Sequence, residues 1–217
     1  YAGAGFRPLS RGAGIMLGRE FFCRDGLAVA KELLGKVLVH ETKLGEIRGV
    51  ITEVESYMGV NDKGSHTYNG RRTNRTEPMF REGGNSYVYF TYGMYHCMNI
   101  TTGVEGDPQA VLIRSVEPAD ELSRERMLKL RLEAAMKRGK KPEELQKSIE
   151  KHLADGPGKM CIAMGIDKAD NAVDMIGKPD FYVTEGRSVK SEQVKCGKRI
   201  GIDYAEEAAD YLWRFYL

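Results

Sequence analysis

The chain has 217 residues, of which 41% are hydrophobic and 29% are charged, and its formal net charge is +2. This composition fits one large globular domain with a buried core. No run of 18 apolar residues is present, so a membrane-spanning helix is not expected, and any basic surface must be local. Widely spaced cysteines without a CxxC motif predict free thiols in a reducing compartment and argue against a zinc site: Cys23, Cys97, Cys161 and Cys196.

The first 19 residues carry three arginines and no acidic residue. A transit peptide can have this composition. A flexible N-terminal tail or a vector-derived remnant is the preferred interpretation, because Met16 lies inside the chain. We therefore predict a tail over residues 1–17 and a single domain over residues 18–217.

The first half of the chain is predicted to be rich in strands. A helix begins at Asp25 and ends at Gly35, where its apolar stripe stops. Residues 36–42 and 47–57 have the pattern of two strands joined by a short turn, which predicts a hairpin. Residues 59–85 are polar and rich in glycine, and a loop of that length is usually functional or disordered.

The second half is predicted to contain most of the helices. A second hairpin over residues 85–102 and a buried strand over residues 110–116 come first. Helical patterns then cluster between residues 119 and 165, and late strands are predicted at 199–202 and 213–217. Strands followed by helices indicate an α+β domain and not a doubly wound parallel sheet.

Two carboxylates and a tyrosine share one face of the strand at 47–57. Side chains alternate across a strand, so Glu53, Glu55 and Tyr57 point one way while Val54 faces the core. Most strand carboxylates are solvated or salt-bridged, and Arg48 could pair with Glu55. The alternative is an acid–base pocket completed by a histidine from the following loop.

The hairpin at residues 85–102 is crowded with aromatic residues. Ordinary packing explains many of them, since strands favour aromatic side chains. Tyr92 and Met94, however, fall at the expected hairpin tip, where little is available for packing. A side chain that wedges between base pairs would have this position, and other tyrosines could stack on a flat base.

Three arginines cluster in a loop, and a fourth interrupts an apolar strand. Arg71, Arg72 and Arg75 fall within five residues, which fits either a solvated loop or phosphate contacts. Arg114 interrupts an apolar strand, so it should be partly buried and should need a carboxylate partner such as Glu55.

The segment DGPGK at residues 155–159 lacks the spacing of a phosphate-binding loop. It resembles a fragment of the helix–hairpin–helix DNA-binding signature, but a turn between two helices is the preferred interpretation. His40, His96 and His152 show no ligand spacing and are predicted to be structural.

Several segments, taken in this order, resemble the alkyladenine (3-methyladenine) DNA glycosylase family: EVESYMG, SHTYNGRRTNRTEPMF, YVYFTYGMYHCMNI, QAVLIRSVEP, DGPGK, and RIGID followed by WRF. The resemblance extends from about Gly18 to Phe215. It implies a single α+β domain with a curved, mostly antiparallel sheet flanked by helices. It also implies a protruding β-hairpin that enters the DNA minor groove while a damaged purine is flipped into a pocket.

The resemblance assigns roles residue by residue. Glu55 matches the carboxylate that activates water. Arg114 matches the arginine that helps to hold this glutamate and the water. Tyr92 matches the intercalating residue of the hairpin. The other matches are the base-pocket residues Tyr57, His66, Tyr89 and Asn99, the DNA-contacting residues Arg71, Thr73, Met94 and Tyr95, and the water-positioning backbone of Ile202.

The implied activity is that of a monofunctional purine DNA N-glycosylase of base-excision repair, without a strand-cleaving lyase step. Its substrates would be alkylated or deaminated purines of the 3-methyladenine, 7-methylguanine, hypoxanthine and ethenoadenine class. The expected partner is double-stranded DNA containing such purines. No cofactor, metal or membrane is expected, the protein should be a monomer, and it should be intracellular, in a eukaryotic nucleus or a bacterial cytoplasm.

Two features depart from the family and two alternative functions stay open. The charged helical segment at about 119–155 matches poorly, and acids are mixed into the DNA-facing loop, namely Asp62, Glu77 and Glu82. A base-flipping enzyme of the helix–hairpin–helix type is one alternative. A non-enzymatic nucleic-acid-binding module that uses only the tyrosines and arginines is the other, but it gives no reason for Glu55.

Overall fold

A computed structural model describes residues 14–217. Its helices are α1 (Arg19–Phe22), α2 (Gly26–Leu33), α3 (Glu121–Lys137), α4 (Pro142–Lys151) and α5 (Pro157–Met164). Its strands are β1 (Val37–Thr42), β2 (Gly45–Tyr57), β3 (Ser86–Thr91), β4 (Tyr95–Thr102), β5 (Gln109–Pro118), β6 (Phe181–Thr184), β7 (Lys195–Gly197) and β8 (Arg214–Tyr216). The strand-rich first half and the helices after residue 119 confirm the predicted α+β class.

One antiparallel sheet organises the domain. Its main path runs in the order β3-β4-β5-β2-β1-β6, and β8 pairs with both β2 and β7. The long strand β2 pairs with β1 through its first half. Residues Glu53, Val54 and Glu55 pair with β8 and also lie beside β5, so this stretch is flanked by strands on both sides.

The core lies between this sheet and the helices. Val29 and Leu33 of α2, Met127 of α3 and Met160 of α5 are fully buried in the same cluster as Val54. Helix α2 begins where the Asp25 side chain accepts the backbone N–H groups of residues 27 and 28. The largest buried cluster therefore joins the sheet and the helices of the described residues in a single domain.

The N-terminal boundary can be compared with the structure from residue 14 onward. Met16 forms a β-bridge with Thr184, and the Leu17 N–H donates to the Val183 carbonyl. Leu17 is buried in the main core cluster. The end of the predicted tail is thus in contact with β6, while its first 13 residues lie outside the described part of the chain.

Residues 199–202 do not form the predicted strand. Gly201 has a φ of 80°, and Ile202 precedes a 3₁₀ segment at Asp203–Asp210. The alternating pattern was misleading because the Arg199 side chain is drawn into the interior by an ion pair described below. The other late strand, β8, is present as predicted, and all four cysteines are free.

The segment at residues 155–159 is a turn followed by a helix start. Helix α4 ends at Lys151 and α5 begins at Pro157, which agrees with the preferred interpretation of DGPGK. Within residues 14–217, none of the helices combines the length and the apolar character needed to cross a membrane.

Candidate active site

A cavity of about 370 Å³ opens on the face of the sheet that carries Glu53 and Glu55. Its walls come from β2, from the β3–β4 hairpin, and from the two loops at residues 59–85 and 198–204. This volume is within the range of small-molecule sites. The cavity gathers nearly all of the residues that the sequence assigned to the base pocket.

Glu55 is fully buried beneath the cavity and its carboxylate is held at both oxygens. The Ile200 N–H donates to Oε1 at 2.8 Å, and Arg114 Nη1 lies 3.2 Å from the same oxygen. The Tyr57 hydroxyl donates to Oε2 at 2.9 Å. These contacts fix the plane of the carboxylate, which is a requirement for a group that must abstract a proton in one direction.

Arg114 joins the carboxylates of Glu53 and Glu55 on β2. Its side chain is 9% exposed, and its Nε donates to Glu53 Oε1 at 2.9 Å. Glu53 Oε1 also accepts from Nη1 of Arg214 on β8 at 3.1 Å. The expected partnership of Arg114 with Glu55 is confirmed, while Arg48 instead lies 3.9 Å from Glu46.

The electrostatics of this cluster keep Glu55 easy to protonate. Burial raises the pKa of the Glu55 carboxyl above its usual range, although Arg114, the Ile200 N–H and the Tyr57 hydroxyl act in the opposite direction. Burial disfavours charge on Arg114 too, but its two carboxylate partners outweigh that effect and raise the pKa of the guanidinium. A carboxyl in this state is suited to exchange protons with a bound reactant.

A local irregularity in β2 helps to present these side chains. The pairing of β2 with β5 shifts register on both sides of Glu53, as it does at a β-bulge. Val54 still faces the core, and Glu55 still shares a face with Tyr57. The alternation predicted from the sequence is therefore confirmed through the bulge.

Aromatic rings form one wall of the cavity. The rings of Tyr87 and Tyr89 lie 5.3 Å apart, and the His66 ring meets Tyr89 edge-on at 4.8 Å. His66 Nδ1 is 2.9 Å from the Tyr87 hydroxyl. Burial, together with the nearby charges of Arg75 and Arg71, lowers the pKa of His66 to about 4. The ring is neutral near pH 7 and does not repel a cationic ligand.

Asn99 and Cys97 line the cavity from β4. Asn99 is buried, and its Nδ2 donates to the Tyr87 carbonyl at 3.0 Å. Burial raises the pKa of the Cys97 thiol, so it stays protonated beside Tyr89. Ile202, predicted to act through its backbone, is also at the cavity, where its carbonyl accepts from the Ala205 N–H at 2.8 Å.

The tip of the β3–β4 hairpin projects at the mouth of the cavity. Tyr92 is 82% exposed and Met94 is 53% exposed. Tyr92 and Gly93 have φ values of 49° and 65°, the positive pair that a tight hairpin turn of the I′ type requires. A tyrosine at a positive φ is uncommon, and here its largely exposed ring lies at the mouth of the cavity.

The residues of the basic loop after His66 differ in the contacts that their side chains make. Arg72 makes a bidentate pair with Glu77, whereas Arg75 lines the cavity and its guanidinium lies over the Tyr89 ring at 5.0 Å. Arg71 is exposed. Thr73 is also exposed, and its N–H donates to the Thr76 hydroxyl at 2.9 Å, which makes it part of the turn.

A buried ion pair beneath the site was missed in the sequence. Arg199 Nη1 and Nη2 donate to the two Asp62 oxygens at 2.5 and 2.8 Å, and both side chains are almost fully buried. Arg199 also donates to the carbonyls of Ser56 and Ala208, and its guanidinium lies 4.8 Å from the Tyr57 ring centre. It thereby fixes the loop that supplies the Ile200 N–H to Glu55.

This pair corrects one expectation about charge. Asp62 was expected among the acids of the DNA-facing loop, yet it is only 1% exposed and lies under the pocket. Its carboxylate also accepts the N–H groups of Met58 and Gly64. Asp62 therefore holds the loop together, and its charge is neutralised by Arg199.

These features place a buried, hydrogen-bonded carboxylate below an aromatic pocket, with an exposed hairpin tip at the mouth of the pocket. The sequence matches the methylpurine-DNA glycosylase family over residues 20–217, and the chain belongs to this family. Its members are hydrolases that act on N-glycosidic bonds in DNA, so DNA is the substrate and the two alternative functions are set aside.

Similar proteins from bacteria carry the corresponding name. A protein of Clostridium acetobutylicum named "putative 3-methyladenine DNA glycosylase" is 49% identical over 201 residues, with 92% of each chain covered. Proteins with the same name from Clostridium perfringens and Desulfitobacterium hafniense are 47% and 49% identical and cover 93% of this chain. The aligned parts are 95% and 94% of those two proteins, so the similarity spans nearly their whole length.

Proposed function

We propose that the protein flips alkylated or deaminated purines out of duplex DNA and hydrolyses their N-glycosidic bond with a water activated by Glu55. The observation that carries this proposal is the fully buried Glu55 carboxylate, bound by Arg114, Tyr57 and the Ile200 N–H directly below an aromatic cavity. The substrates would be purines of the 3-methyladenine, 7-methylguanine, hypoxanthine and ethenoadenine class.

The chemistry needs one base and one site of charge stabilisation. Water would attack C1′ of the deoxyribose while the bond from C1′ to the purine nitrogen breaks, and the bonding electrons leave with the purine. Glu55 would accept the proton from that water, with Arg114 and the Ile202 carbonyl helping to orient it. The transition state resembles an oxocarbenium ion, and a nearby carboxylate stabilises its positive charge.

The pocket walls would select the flipped base. Tyr57, His66 and Tyr89 would stack against it, and a neutral His66 is compatible with the positive charge of a purine alkylated at N7 or N3. Asn99 would crowd the 2-amino group of guanine and so disfavour the undamaged base. Such differential contacts are needed because a methyl group alone gives limited discrimination.

The hairpin would supply the wedge. Tyr92 would fill the space left by the flipped nucleotide, and Met94, Tyr95, Arg71 and Thr73 would contact the surrounding DNA. Among residues 14–217, no lysine lines the cavity, which supports a monofunctional enzyme without a Schiff-base step. We further propose that the protein acts as a monomer, without a membrane, in the compartment that contains DNA.

The test is single-turnover release of 7-methylguanine from duplex DNA by Glu55→Gln. Loss of a general base costs roughly 10²–10⁴-fold in rate, whereas binding to the lesion duplex should be retained. Glu117→Gln is a matched control, because Glu117 is an exposed carboxylate on the neighbouring strand β5. The wild-type product should also break only after alkali treatment, as expected for an abasic site left by a monofunctional enzyme.

Two outcomes would contradict the proposal. If Glu55→Gln retains activity within a few-fold of the wild type, Glu55 is not the base. If the wild-type protein nicks the strand without alkali, a lyase step exists and the monofunctional assignment is wrong.

A further inference from the structure

A strongly basic loop begins at Lys137, the last residue of α3, and leads to α4. Four of its five residues at 137–141 are cationic, in the sequence KRGKK, and all five are exposed. The sequence offered no contact for this part of the molecule, because the helical segment at about 119–155 departs from the family pattern.

The structure places the start of this loop against the tip of the β3–β4 hairpin. Arg138 Nη2 donates to the Met94 carbonyl at 3.0 Å. The same guanidinium lies 4.7 Å from the centre of the Tyr95 ring. The Arg138 side chain therefore links this loop to the hairpin tip, on the side of the turn that carries Met94 and Tyr95.

A second element holds the same ring in place. A Cβ added to Gly158, near the start of α5, would lie 2.9 Å from ring atoms of Tyr95. Tyr95 thus contacts Arg138 at one point and the backbone of α5 at another. The other flank of the tip is different: Gly201 faces the Tyr92 hydroxyl, with 3.8 Å between that oxygen and an added Cβ.

The charge of the loop is only partly compensated. Lys141 Nζ lies 3.5 Å from Glu144 Oε1, and both side chains are largely exposed. In residues 14–141 and 144–217, no carboxylate oxygen lies within 4.0 Å of a side-chain nitrogen of Lys137, Arg138 or Lys140. Arg131, about two turns earlier on the helix, adds another positive charge near Arg138.

We propose that residues 137–141 bind the phosphate backbone of the DNA beside the inserted hairpin, and that Arg138 also positions the hairpin tip. This inference rests on the proposed function, since it assumes that the hairpin enters duplex DNA. Once the tip is inserted, phosphates must pass on both of its sides. Exposed lysines and arginines next to the tip would then form ion pairs with these phosphates and release their counterions.

The lysine part of the proposal is tested with Lys140→Gln/Lys141→Gln. The control is Lys178→Gln/Lys190→Gln, which removes the same charge from exposed positions just before and just after β6, at the opposite end of the main sheet path from β3. Binding to a 7-methylguanine duplex is measured across a salt series, together with single-turnover release at saturating enzyme.

For the loop variant, the slope of log affinity against log salt should fall by roughly 0.9 for each lost phosphate contact. The release rate at saturation should be that of the wild type, because the pocket is untouched. A slope equal to that of the control variant would overturn the inference. Since wild-type release is measured in the same experiment, a failure of the proposed function would be recognised separately.

The positioning part is tested with Arg138→Lys and Arg138→Met. Arg138→Lys keeps the charge but loses the planar stacking on Tyr95, so the salt slope should be retained. Its excision of a well-paired lesion should fall more than its excision of a mismatched lesion, because a misplaced wedge matters most when extrusion is costly. Equal rates for wild type and Arg138→Lys on both substrates would show that Arg138 does not position the tip.

Discussion

The floor and the rim of the cavity are built in opposite ways. On the floor, Glu55 is fully buried and Arg114 is 9% exposed, and hydrogen bonds and ion pairs hold both side chains within a paired sheet. On the rim, Tyr92 is 82% exposed at the end of a two-stranded hairpin. The floor is therefore tied to the stability of the fold, whereas the rim can be altered without disturbing it.

This difference shows how proton transfer can be separated experimentally from DNA binding and base flipping in one small domain. Substitutions at the floor should change proton transfer and folding together, because the same bonds serve both. Substitutions at the rim should change binding and base flipping while the melting behaviour stays constant. Each prediction below tests one side of this comparison.

The largest effect is expected from Arg199→Met at the base of the floor. Breaking a buried ion pair leaves Asp62 uncompensated and typically costs about 3–5 kcal/mol of stability. Excision should fall as well, since Arg199 fixes the loop that supplies the Ile200 N–H to Glu55. Urea denaturation and single-turnover excision measure the two effects.

The double variant Asp62→Leu/Arg199→Met is the control for this prediction. Replacing both charges with apolar side chains should restore part of the stability. Excision should stay low, because the bonds to the Ser56 and Ala208 carbonyls are still absent. Full recovery of excision would mean that Arg199 supports only the fold.

Tyr92→Ala tests the rim. Holding a base outside the helix costs a few kcal/mol, so excision of a well-paired lesion should fall between about tenfold and a hundredfold. A mismatched lesion should suffer less, and the melting temperature should barely change. Equal losses on both substrates, or a large drop in melting temperature, would contradict the role of a wedge.

Arg114→Met should shift the pH dependence of the floor. The Arg114 charge lowers the pKa of Glu55, so its removal keeps that carboxyl protonated to higher pH. The acid limb of 7-methylguanine release should then move upward. His66 cannot produce this limb near neutral pH, because its pKa is lowered to about 4. An unchanged limb would indicate that Glu55 does not titrate in the reaction.

The smallest change is expected for Asn99→Ser. Shortening the side chain opens space in the pocket where the 2-amino group of guanine would lie. Release of hypoxanthine should stay close to that of the wild type, while the low release of normal guanine should rise. A constant guanine background would show that Asn99 does not exclude this group.

The sequence predicted the floor well because its residues break local rules. Glu55 and Arg114 are charges in strands, and such charges need partners, so their pairing could be anticipated. The shared face of Glu53, Glu55 and Tyr57 followed from strand alternation, and the exposed tip followed from the position of Gly93. The order of strands and helices was predictable for the same reason, since it depends on local patterns.

Contacts between residues that look ordinary in their own segments could not be predicted from the sequence. Asp62 and Arg199 are 137 residues apart, and each resembles an ordinary surface charge in its own segment. Residues 199–202 alternate as a strand does, yet the buried Arg199 and the positive φ of Gly201 exclude one. The contact of Arg138 with Met94 likewise joins two segments whose proximity depends on how α3 packs.

The pairing of β8 with β2 has a consequence for how the protein assembles. Arg214 of β8 contacts Glu53, which lies 161 residues away in the sequence. The three residues of β8 pair with Glu53, Val54 and Glu55. Contacts of such separation have a high loop-closure entropy and slow the folding of a domain. Local opening of β7 and β8 would remove Arg214 from Glu53, while Arg114 stays bound to Glu53 and β2 stays paired with β5.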